Sequence, residues 1–110
     1  MDRINAFATT LNSSDRSSIN SNFDPGLSGL PSATVWTTDF PIPGTLPTDI
    51  PYSITLLDYS DPANVTASIF GPTAFYTNAG GPPASAVFSM VKIGSDWYIE
   101  KLTVGTIAIP

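Results

Sequence analysis

The sequence predicts an α+β domain, two short N-terminal helices packed on a curved, cone-like antiparallel meander of about four strands. Ile4, Phe7, Ala8 and Leu11 recur at i, i+3, i+4 and i+7, one face of a helix. From Tyr52 onward the chain is rich in β-branched and aromatic residues, broken by turn residues at short intervals. Near the end, two apolar runs flank Gly94-Ser95-Asp96, a sequence of the kind that closes a hairpin.

Each element follows from local chemistry. Asn12-Ser13-Ser14-Asp15 breaks the first helix and offers N-caps to a second, in which Ile19 and Phe23 sit four apart. Asp24-Pro25-Gly26 ends that helix, because proline cannot continue it. The single domain, 1–110, then divides into a helix pair (1–23), a proline-rich irregular segment (24–51) and the sheet (52–110). Within the middle segment, Thr34–Phe40 reads as a short edge strand that Pro41 ends. Tyr52–Tyr59 and Val65–Phe70 are strands joined by the Ser60-Asp61-Pro62-Ala63-Asn64 turn, and Thr73–Tyr76 reads as a continuation past a bulge. The closing hairpin follows, and Thr103–Ile109 extends its second strand.

Composition narrows the function classes. Charged residues are 12% of the chain, against about 25% in an ordinary domain. Polarity comes instead from 13 Ser and 13 Thr. The net charge is −5, and the cations Arg3, Arg16, Lys92 and Lys101 are scattered. Nucleic acid, which is bound through clustered cations, is therefore not an expected partner. Cysteine and histidine are both absent, so no thiolate chemistry, zinc-thiolate site or histidine base is expected. No run reaches the roughly 20 apolar residues of a membrane-spanning helix. No glycine-rich phosphate cradle occurs, and no cofactor or metal is expected. The neutral, hydroxyl-rich surface points to export, secreted or periplasmic or at the cell surface, with Met1 standing where a leader has been removed.

At both ends the chain resembles the nuclear transport factor 2-like proteins. Ile4–Asp15 with Ile19 and Phe23 is similar to their opening helix, break and second helix, and Phe88–Ile99 is similar to their final hairpin with its Gly-x-x-Trp-x-Ile pattern. The resemblance implies a bent sheet around helices, a cavity at the open end and homodimers through the sheet. It also implies that enzymes of this kind carry an acidic base inside the cone. No position here matches such a base residue by residue, so no catalytic residue is assigned.

Asp58 follows Ile54 and Leu56 at strand alternation, and on the core face it would be a carboxylate of raised pKa. Read as the first residue of the following turn, it lies in solvent. Asp39, beside Trp36 and Phe40, is a second candidate, read more simply as a loop cap, and Asp96 belongs to the hairpin turn. Asp58, Asp61 and Asn64 lack the spacing of a calcium loop. Lys92 and Glu100 are positioned to form a cross-strand surface pair. Trp97 and Tyr98 are strand neighbours, so one of them leaves the helix-covered face. The expected function is a non-catalytic exported domain that binds a small apolar ligand or a protein partner through Trp36, Phe40, Tyr52, Asp58 and Tyr76. A cone-fold enzyme using a buried carboxylate for proton transfer or hydration, and a self-associating structural domain, are the alternatives.

Overall fold

A computed structural model of the chain describes residues 2–44 and 47–109. Met1, the expected site of leader removal, lies outside the described residues. Helix α1 covers Asp2–Leu11, and Ile4, Phe7 and Leu11 on its anticipated face are fully buried. The second helical segment, Arg16–Asn22, is a 3₁₀ helix. Its serines account for the tighter winding. The Ser18 and Ser21 hydroxyls donate to carbonyls three residues back, competing with α-helical pairing.

Two expected strands are helices. Thr34–Phe40 lies in and just beyond α2, Ala33–Asp39. Ser32 Oγ caps it by accepting from Val35 N at 3.3 Å. The Thr37 and Thr38 hydroxyls donate to carbonyls four residues back. Helical winding turns Trp36 and Phe40 inward and leaves Thr38 in solvent; a strand would have turned all three to one side. Likewise Thr73–Tyr76 does not prolong a strand. Phe75 N donates to Pro72 O at 3.0 Å, and Phe75–Ala79 forms α3, which ends at Gly80 with φ +76°.

The sheet holds five strands rather than four: β1 Ser53–Asp58, β2 Asn64–Phe70, β3 Ala84–Ile93, β4 Asp96–Val104 and β5 Ile107–Ile109. They form an antiparallel meander in sequence order. It is open and uncurled, not a cone. The C-terminal segment does not extend β4; it turns back at Gly105-Thr106 to pair with it. Gly105 has φ +58°, and a Cβ there would collide with the Ala79 carbonyl.

Two of the pairings are irregular. In β4, Ser89 pairs with Lys101 and Met90 with Ile99, so Glu100 is an extra residue. Glu100 and Lys101 are both exposed, and Lys92 stands across from Trp97, not Glu100. In β1 the register slips between Thr55 and Asp58. There Leu56 takes φ +52° with its side chain 79% exposed.

Phe7 is the centre of the core. Its ring meets Phe23, Trp36, Phe40 and Phe88 at centroid distances of 6.2, 6.3, 6.3 and 5.7 Å, all near edge-on. Beside this core lies a buried cation. Arg16, 4% exposed, donates from Nη1 to Leu11 O, the last residue of α1, and to Ser13 O, and from Nη2 to Phe40 O at the end of α2. Helix C-termini carry partial negative charge, so two of them hold this cation where a carboxylate usually would. Its Nε has no hydrogen-bond partner among the described residues.

Replacing Arg16 with Met leaves the Leu11 and Phe40 carbonyls buried and unpaired, and should cost about 2–4 kcal/mol in urea unfolding. A loss under about 0.5 kcal/mol would show that the carbonyls find other partners. Leu56→Asn should raise stability by about 1 kcal/mol, because asparagine accepts the left-handed conformation more readily. An unchanged or lower urea midpoint would refute that strain.

Candidate functional site

Trp36, Phe40, Tyr52 and Tyr76 are brought together, as packing. Trp36 and Phe40 lie 5.6 Å apart, Phe40 and Tyr52 6.2 Å, and Phe75 bridges Phe40 and Tyr76 at 5.3 and 5.4 Å. Trp36 and Phe40 have no exposed surface. Tyr52 is stitched in on three sides. Asn12 Nδ2 donates to its carbonyl at 3.1 Å, its own N–H donates to Asn12 Oδ1 at 2.7 Å, and its hydroxyl donates to Pro41 O at 2.7 Å. Gly71 lies against its ring, where a Cβ would come within 2.6 Å.

Asp58 is apart from this group, exposed at the end of β1. Its Oδ1 accepts from the amide and hydroxyl of Ser60. These bonds, the hydroxyl first, hold its carboxyl below the ordinary range, the opposite of what acid–base work needs. Asp61 is used similarly, accepting from Ala63 N and Asn64 Nδ2. Among the described residues no group of three or more acidic side chains is placed to hold a metal ion, and no helix is long and apolar enough to cross a membrane.

A concave feature lies at the other end of the helix layer. Arg3 and Ala6 of α1, Tyr59 and Pro62 from the β1–β2 connection, and Ser95, Asp96 and Trp97 from the β3–β4 hairpin line an open cleft of about 630 Å³. Gly94, at φ +63°, allows the two-residue turn that brings Asp96 and Trp97 there. Trp97 shares the helix-covered face with Ile99, but it reaches past the core and is half-buried. Tyr98 points to the opposite face.

Arg3 joins the two sides. Its Nε donates to Trp97 O at 2.8 Å, and its guanidinium carbon lies 4.5 Å from the Tyr98 ring centroid. Two residues on, Asp24 N donates to Ile99 O at 2.8 Å. Side chain and backbone thus cap the stretch of β4 that β5 does not reach. The Trp36 indole N–H donates to Asn20 Oδ1 at 2.6 Å. The Trp97 indole N–H has no partner among the described residues.

Of the cleft residues, sequence reasoning singled out only Trp97, as half of a pair forced onto opposite faces, and Asp96, as a turn residue. Arg3, Ala6, Tyr59, Pro62 and Ser95 come from three separate segments, and no local spacing signals their meeting. No protein-family model, curated protein or solved structure matches the chain. The cleft is therefore read from its own chemistry.

Burial pushes the Tyr52 phenol far above its ordinary value near 10, opposed in part by Arg16. The folded state thus keeps a proton that the unfolded chain releases. Stability from this group is complete below about pH 10 and falls as pH rises further, by about 1.4 kcal/mol per unit. Tyr52→Phe should be less stable at neutral pH by about 1 kcal/mol, through the lost bond to Pro41 O, and should show a flatter decline above pH 10. Parallel alkaline profiles for the two proteins would refute the assignment.

Proposed function

We propose that this chain is a non-catalytic binding module that holds an apolar ring, on a small ligand or on a protein partner, in the cleft beside Trp97. The observation that carries this reading is the contrast between its tryptophans. Trp36 is sealed in the core with its indole bonded, whereas Trp97 lines the cleft with Tyr59 and Pro62 and leaves its N–H unused. An aromatic side chain kept partly in water forgoes apolar burial, which an incoming ring restores. Ser95, the aliphatic hydroxyl in the lining, has no base bonded to it among the described residues, which favours binding over chemistry.

The hydroxyl-rich, weakly charged surface supports an extracytoplasmic setting. The helix–break–helix opening and the closing hairpin support kinship with the nuclear transport factor 2-like proteins.

The probe for this reading is anilinonaphthalene sulfonate, an apolar double ring. It should bind the folded protein and perturb Trp97 emission, and Trp97→Ala should weaken binding about tenfold, equal to about 1.4 kcal/mol of ring contact. Trp36→Phe, if it folds, should leave binding unchanged. Absence of binding, or equal binding by Trp97→Ala, would refute the site.

A further inference from the structure

Resting on that binding reading, we infer that the ring the cleft takes is proline, presented by a partner polypeptide in the polyproline II conformation with a cationic residue beside it. The first argument is shape. The cleft is open, which encloses a small free ligand poorly and suits an extended chain lying across it. Tyr59, Pro62 and Trp97 supply apolar faces from two separate hairpins. Grooves walled by aromatic side chains take proline rings well, since the ring is rigid and its chain is already extended before binding.

Hydrogen bonding supplies a second argument. A polyproline II segment makes no internal hydrogen bonds, so its carbonyls all point outward as free acceptors. Trp97, in the cleft lining, carries an indole N–H that donates to no other described residue and can donate to such an acceptor. A hydrocarbon ligand would leave that donor unused.

Charge orients the partner. Asp58 and Asp61 flank the Tyr59–Pro62 side and Asp96 precedes Trp97, all three exposed. Arg3, bonded to Trp97 O and stacked on the Tyr98 ring, keeps its positive charge on the hairpin side of the cleft. Lys92, paired across from Trp97, is a second cation on that side. The carboxylates thus predominate on the β1–β2 side, within a chain of net charge −5. A cationic residue flanking the prolines is favoured there, with a contribution that salt weakens.

The test uses the full chain and a blocked peptide, Ala-Pro-Pro-Ala-Pro-Pro-Arg, with binding followed by tryptophan fluorescence and by backbone amide shifts. Saturable binding in the micromolar-to-millimolar range is expected, with shifts confined to the cleft. Changing the prolines to alanine, or making Trp97→Ala or Tyr59→Ala, should weaken it at least about tenfold. Trp97→Phe, which keeps a ring and loses the N–H, should weaken it by several-fold. Changing the peptide arginine to glutamate, or raising the salt, should also weaken it. If the naphthalene probe binds at Trp97 and the peptide does not, the proline assignment falls while the binding reading stands. If neither binds, both fall. Equal affinity for the proline and alanine peptides, or preferential binding of a chitooligosaccharide, would likewise overturn the assignment.

Discussion

The Arg16 guanidinium is the point on which the helical layer depends. It sits where α1 and α2 both end, and it satisfies carbonyls that their helices cannot. A buried cation is expensive, and its usual remedy is an ion pair. Here the compensation comes from backbone dipoles and three carbonyl bonds. Tyr52 packs beside it, and Asn12, just past α1, grips the backbone of Tyr52 as β1 begins. One end of the helix layer is thereby tied to the sheet by polar contacts at a single locus. The opposite end of α1, at Arg3 and Ala6, is where the layers part and the cleft lies.

Much of the architecture was legible in the sequence, for reasons that also mark where legibility stops. The α1 face, the closing hairpin and the meander order follow from periodicity and turn chemistry, which act locally. Thr34–Phe40 reads as a strand because its β-branched residues resemble one by composition, whereas it folds as a helix. Two opposing signals were present, Ser32 as an N-cap and the Trp36–Phe40 spacing of four. Thr73–Tyr76 reads as strand continuation because the proline at position 72 initiates a turn as readily as it ends a strand. Nothing local announced that Thr103–Ile109 would reverse, since that turn depends on Gly105 fitting against Ala79.

The candidate site was less legible than the fold. Large aromatics are reasonable ligand contacts in sequence, yet burial of the same side chains is what lets so short a chain form a core. Trp36, Phe40 and Tyr52 went to that use. The cleft draws on the first turn of α1, one connection and one hairpin, whose meeting is a tertiary fact. The nearest sequence clue was Trp97-Tyr98, and its resolution involves Arg3 wrapping around an uncovered strand edge, 94 residues away in the chain.

The extra residue at Glu100 has a consequence for how such a chain evolves. It reverses the inward–outward alternation midway along β4, so that Trp97 and Ile99 share a face with Leu102 and Val104. Loss of the Glu100 codon would restore regular alternation with Trp97, Ile99, Leu102 and Val104 still on one face, whereas keeping the residue and losing the bulge would rotate Trp97 and Ile99 to the opposite side of the sheet. That slip would strip Trp97 from the cleft and the fully buried Ile99 from the core together. The cleft wall and the core are thus bound to one register, and a lineage can discard the bulge only by discarding the residue with it.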